Sequence, residues 1–252
     1  MTMRLDILLE FWIKLDSFQT WKKSCIKNIV QKGQDNILKI DKYHVIIFDC
    51  DGIIFDTTAL KLNAFKDSLS AFSNHDVKEF VTYFQANFGR SRYTHIKYFF
   101  SEILKIPFDK GLYDRILYDY GQRCEALYRN ADICIGVKNL LVKTADVEKY
   151  IASGSDQHEL RKAFQSRLLA QYFKAIYGSP INKNDLVKNI CSQHEGKNIL
   201  MIGDAQADYI AAQQSHIDFL YVERYSADNK NMKALASEKK FCSVTDLSLI
   251  SD

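Results

Sequence analysis

Two aspartates one residue apart, Asp49 and Asp51, close the apolar run Val45-Ile46-Ile47-Phe48 and are followed at once by Gly52. The run is β-branched and aromatic, of strand length and without polar interruption, which predicts a central strand covered on both faces. Two carboxylates at the end of such a strand repel each other and lose hydration, so a cation or a shared proton must compensate them. The pair therefore points to a metal site or to acid/base chemistry, and oxygen donors favour a hard ion such as magnesium.

Other apolar runs end in residues able to join that chemistry. Lys149 to Ala152 leads into Ser153-Gly154-Ser155, and Asn198 to Ile202 leads into Gly203-Asp204, with Asp208 four residues on. Lys183 follows Gly178-Ser179-Pro180 after the run Ala175 to Tyr177. In open parallel sheets ligands collect at the carboxyl ends of the strands, so these residues are expected to share one crevice. Ser153 has a second reading as a helix cap, with Gly154 and Ser155 opening the helix that holds Glu159 and Leu160.

The elements that would hold these residues follow from the pattern of the chain. Short apolar runs, the last at Asp218 to Val222, alternate with helix-length segments after residue 130, which predicts a parallel sheet with crossover helices. Between Thr57 and about Asn130 the chain is rich in Leu, Phe, Tyr and Lys, nearly lacks glycine and has Pro107 as its only proline, the composition of a helical insert. Residues 1–42 carry Leu5, Leu8, Leu9, Trp12, Ile13 and Leu15 at near-helical spacing. They are expected to form amphipathic helices that dock on the core or build a homodimer interface.

Bulk properties narrow the function classes. With 34 Lys and Arg against 31 Asp and Glu, and no long basic cluster, a nucleic-acid footprint is not indicated. No apolar stretch reaches the roughly 20 residues that span a bilayer, and charges interrupt the N-terminal segment, so neither a membrane span nor a signal peptide is expected. Six cysteines make no CxxC pair and no Cys/His metal spacing, which suits reduced thiols and a cytoplasmic location.

Taken in order, the motifs resemble those of the haloacid dehalogenase superfamily. DxDG is Asp49-Cys50-Asp51-Gly52, continued by Asp56 and Thr57; the strand-ending hydroxyl is Ser153; the lysine is Lys183; and GDxxxD is Gly203-Asp204-Ala205-Gln206-Ala207-Asp208. The resemblance implies an α/β fold, a Rossmann-like parallel sheet flanked by helices, with an inserted α-helical cap domain. The core would take residues 43–58 and 131–252 and the cap residues 59–130. It further implies Asp49 as nucleophile forming an aspartyl-phosphate and Asp51 as general acid/base, the latter needing a raised pKa and a shielded environment. Mg2+ would be held by Asp49, the Asp51 main chain and Asp204, supported by Asp208. Gly52, Ser153, Gly154 and Lys183 would bind the transferring phosphoryl group.

The long spacing from Asp49 to Ser153 and the short one from Ser153 to Lys183 place the cap after the first motif. Within it, Gly89-Arg90-Ser91-Arg92 is similar to the cap loop of β-phosphoglucomutase-like members, which implies that Arg92 holds a distal anionic group of the substrate. Lys61, Phe84 and Tyr93 are further candidates for the cleft. An acid at position 51 argues against dehalogenation, since halide leaves without a proton. Lys61, where the mutases carry a hinge histidine, favours hydrolysis. The expected activity is a phosphatase acting on a small phosphorylated metabolite, of sugar phosphate or phosphoglycolate type. A phosphosugar mutase is the alternative, and a non-catalytic binding module is disfavoured by the intact motif residues.

Overall fold

The computed structural model describes residues 39–250, and the helices expected at the N-terminus lie outside them. Six strands form one sheet: β1 Val45–Phe48, β2 Glu148–Asp156, β3 Ala175–Ser179, β4 Ile199–Gly203, β5 Asp218–Val222 and β6 Cys242–Val244. The order is β3-β2-β1-β4-β5-β6 and every pairing is parallel. The chain therefore leaves β1 to one side and returns to β4 on the other, which opens a crevice at the carboxyl end of β1.

Every residue of β1 and β4 is buried, as their uninterrupted apolar runs require of strands covered on both faces. Phe48 stands beside Ile151 on β2 and Ile202 on β4, so the residues that follow on these strands emerge at one level. Five strands coincide with the expected runs. The edge strand β6 was not expected, because three half-exposed residues carry almost no periodic signal.

Between β1 and β2 lie helices α1 Thr58–Ser68, α2 Asn74–Ala86, α3 Arg92–Tyr98 and α4 Lys110–Asn130, with a π-helical segment Phe99–Leu104 continuing α3. Ser73 and Asp109 cap α2 and α4 by accepting from Asp76 N and Leu112 N, and Ser91 caps α3 through Thr94 N. This insert has its own apolar core. Phe65 stacks on Tyr120 at 3.7 Å and meets Phe80 and Phe84 edge-on, each at 5.0 Å. Burying side chains of this size stabilises by about 2 kcal/mol each, enough to hold the insert as a helical layer above the strand ends.

Helix α5 Val137–Lys143 leads into β2, and α6 Gln157–Ser166, α7 Lys183–Ser192, α8 Gln206–Gln214 and α9 Asn229–Lys239 follow it. They cover the two faces of the sheet as crossovers. Among the described residues no helix is long and apolar enough to cross a membrane, and the five cysteines there are free.

Candidate active site

Asp49 follows β1 and its backbone N–H donates to the Ile202 carbonyl at 2.9 Å, which ties the ends of β1 and β4 together. Asp204 follows β4, and Asp208 lies in the first turn of α8. Asp208 Oδ2 accepts from the N–H groups of Asp204 and Ala205 at 3.2 and 3.0 Å, so one oxygen caps its own helix. The other faces Lys183, whose ammonium lies 2.5 Å from Asp208 Oδ1 and 2.9 Å from Asp49 Oδ1. The contact with Asp49 is an ion pair without hydrogen-bond alignment.

Asp49, Asp204 and Asp208 each offer an oxygen within 4.8 Å of the others, and all three are buried. Neither oxygen of Asp204 has a hydrogen-bond partner among the described residues. Burial, with the charges of Asp49 and Asp208, pushes the Asp204 carboxyl well above the usual carboxylate range. Burial also raises Asp49 to about 7, against the lowering effect of Lys183 and with Asp208 and Asp51 adding to the rise. Three carboxylates facing one lysine leave negative charge uncompensated. The donor set, hard oxygens with an orphaned carboxylate at its centre, fits a magnesium ion.

The side chain of Asp51 is not in this cluster. Its carboxylate receives Thr57 Oγ1 at 2.6 Å, Tyr128 OH at 2.9 Å, Ser155 Oγ at 2.6 Å and the Lys61 ammonium at 2.7 Å. Lys61 also donates to Ser155 Oγ. Burial by itself would raise this carboxyl, yet the lysine charge and the hydrogen bonds hold it below its ordinary value. The expected raised pKa is thus corrected: shielding is present, but four donors stabilise the anion.

Gly52 holds a left-handed φ of +81°, and a Cβ there would lie 2.3 Å from Asp204 Oδ2. Only glycine lets the chain turn this close to the acidic cluster. Ser153 is buried on β2, where its Oγ accepts from Ser155 N at 3.2 Å and lines a cavity shared with Asp49 and Asp51. It does not cap a helix. Strand β2 runs on to Asp156, which caps α6 by accepting from His158 N and Glu159 N.

The loop between α2 and α3 closes over these residues. A Cβ on Gly154 would meet the Gly89 carbonyl oxygen at 2.3 Å, so the Gly89-Arg90 backbone rests directly on the end of β2. What remains beneath it is a cavity of about 20 Å³, room for roughly one water. Its walls include Lys61, Phe84, Phe88, His95 and Tyr120 from the insert.

Arg92 does not project a free guanidinium into this space. It is 6% exposed, pairs in a fork with Glu159 of α6 at 2.7 and 2.5 Å, and lies 4.8 Å over the Tyr120 ring. The expectation that it holds a distal anionic group is corrected here, because both arms are engaged by a protein carboxylate. Phe84 is buried in the insert core and Tyr93 donates to Asp156.

The spacing argument did not identify Ser155, Tyr128 or His95. Ser155 had a usable signal, since it shares a strand face with Ser153 two residues earlier. Tyr128 and His95 had none, being single residues on amphipathic helices brought over the site only by tertiary packing.

No curated protein matches the sequence. The fold is similar to that of a predicted phosphatase from Clostridium acetobutylicum, with TM-score 0.63 and 20% identity over 81% of this chain and 94% of that one. It is similar also to a predicted phosphoglycolate phosphatase from Haemophilus somnus 129PT, with TM-score 0.64 and 14% identity over 82% and 96% of the two chains. A third neighbour is a magnesium-bound haloacid dehalogenase-type hydrolase from Bacillus subtilis, at TM-score 0.54 and 18% identity, covering 73% and 90%. Residues 46–222 match the family of haloacid dehalogenase-like hydrolases, a span that holds every motif residue from Asp49 to Asp208, and the chain belongs to that family.

Proposed function

We propose that this protein is a magnesium-dependent phosphatase that hydrolyses a small phosphorylated metabolite through an aspartyl-phosphate intermediate. The observation that carries the reading is the buried trio Asp49, Asp204 and Asp208 beside Lys183, with both Asp204 oxygens unpartnered. Magnesium held by Asp49, Asp204 and the Asp51 main chain, with Asp208 in support, would neutralise charge on the phosphoryl oxygens. A small phosphorylated substrate also accords with the likeness to the predicted phosphatases from Clostridium acetobutylicum and Haemophilus somnus.

In this reading a carboxylate oxygen of Asp49 attacks phosphorus, and the bond from phosphorus to the leaving oxygen breaks. The leaving oxygen takes a proton from Asp51. Asp51 then removes a proton from water, which attacks the same phosphorus and releases phosphate from Asp49. The ionised Asp51 of the closed site suits the second step. Its service as an acid requires the Lys61 contact to loosen when substrate enters. Gly52, Ser153, Gly154 and Lys183 bind the phosphoryl oxygens, and residues 59–130 act as the cap, opening to admit substrate and closing to exclude water.

Lys61, engaged by Asp51 and Ser155, offers no free hinge base, which supports hydrolysis over the mutase alternative. A cytoplasmic location belongs to the same reading and is supported by the free cysteines. The test is phosphate release from a phosphometabolite panel with and without magnesium, using Asp49→Asn as control. Release that requires magnesium and falls at least about a thousandfold in the variant is expected. Full activity in Asp49→Asn would overturn the nucleophile assignment, and no release from any compound would overturn the reading itself.

A further inference from the structure

His95, on α3, is fully buried at the wall of the closed cavity, and neither ring nitrogen has a hydrogen-bond partner among the described residues. Rings surround it edge-on, Phe84 at 4.7 Å, Tyr83 at 5.6 Å and Phe65 at 6.2 Å between centroids. The Arg90 carbonyl lies near enough to act on the ring without hydrogen-bond geometry. Burial drives its pKa down to about 3, with the Arg90 charge adding to the effect, so the imidazole is neutral and presents one donor and one acceptor. A buried polar ring left unpaired is destabilising, and an apolar ring of similar size would fill the same space without that penalty. A ligand group that pairs with it accounts for its presence.

The neutral ring itself says what kind of group that is. The two buried cations there, Lys61 and Arg92, are already paired with Asp51 and Glu159. Arg90 lines the same cavity and is exposed beside Tyr83. The insert also contributes the rings of Phe65, Phe84, Phe88 and Tyr120 to the wall. An uncharged hydroxyl matches a neutral imidazole as both donor and acceptor.

We propose that His95 is the specificity residue of this site, hydrogen-bonding an uncharged hydroxyl of the leaving group, so that phosphomonoesters whose leaving group carries a hydroxyl are preferred over analogues that lack it. This rests on the phosphatase reading and narrows its substrate class.

The experiment compares kcat/KM for glycerol phosphate, propyl phosphate and phosphoglycolate, with p-nitrophenyl phosphate as a general phosphatase substrate. A site built to bond a hydroxyl rejects the analogue lacking it, and the expected preference for glycerol over propyl phosphate is about a hundredfold. His95→Phe collapses that ratio toward one and melts no lower than the parent. His95→Gln, which keeps a donor and an acceptor, retains part of the ratio. The wild-type comparison stands without either variant. Equal rates on glycerol and propyl phosphate, or a ratio unchanged in His95→Phe, would each overturn the inference while leaving the phosphatase reading intact. Failure to hydrolyse p-nitrophenyl phosphate together with all three other esters would overturn both.

Discussion

The ammonium of Lys61 lies 2.7 Å from Asp51 Oδ2, joining the first helix of the insert to the loop that follows β1 at a point where both side chains are buried. Lys61→Met would leave the Asp51 anion with neutral donors alone. Breaking a buried pair in this way costs about 3–5 kcal/mol. Urea denaturation is expected to show a loss of that order, together with reduced turnover. An unchanged midpoint would mean that the hydroxyls of Thr57, Tyr128 and Ser155 suffice to hold the carboxylate.

Stability without metal should fall as pH rises through the range in which the acidic trio ionises. The Asp49 pKa of about 7 lies above its ordinary 3.8, so the folded state binds the extra proton between those values. Protonation therefore favours the folded form on the acid side, and that advantage is lost as pH climbs through about 7. Asp204 is shifted in the same direction. Magnesium binds the deprotonated carboxylates, so its stabilisation is expected to be larger near pH 8 than near pH 5. Thermal melts with magnesium and with a chelator at the two pH values measure this, and a larger gain at the acid value would refute it.

Arg92 and Glu159 form a two-armed ion pair between α3 and α6 that ties the insert to the sheet layer. A double-mutant cycle with Arg92→Met and Glu159→Gln is expected to give a coupling of about 2 kcal/mol in unfolding free energy. Arg92→Lys keeps the charge but loses the fork and should recover only part of it. Additive single effects would show the pair to be energetically idle.

Gly154→Ala would set a methyl 2.3 Å from the Gly89 carbonyl oxygen, and backbone cannot retreat as a flexible side chain does. The loop above the site must then stay further off. We expect kcat/KM to drop at least about tenfold, with a melting temperature close to the parent, because the closed site and not the core is affected. Normal turnover in this variant would mean that catalysis does not require the closed loop.

Much of this arrangement was legible in the chain. Apolar runs ending in Asp49, Ser153 and Asp204 carried the parallel sheet, because strands covered on both faces must be continuously hydrophobic and their ends are where polar residues can resume. The helical insert was legible from composition and the nearly glycine-free stretch after Thr57. Strand β6 was not, since three half-exposed edge residues carry no periodicity. Ser153 as a helix cap failed for a local reason: Asp156, three residues later, supplies a carboxylate where β2 ends.

What the sequence alone determined is the inventory of reactive groups and their order along the strands, since an apolar strand with a carboxylate at its end is a pattern set by local sequence. The tertiary structure decided the partner of each group. It turned Arg92 from a substrate arginine into a strut on Glu159, gave Asp51 a lysine and the hydroxyls of Ser155 and Thr57 that lower its pKa, and buried His95 without a partner among the described residues. Those outcomes depend on contacts such as that of Tyr128 with Asp51, 77 residues apart, and charge and desolvation act through space and not along the chain.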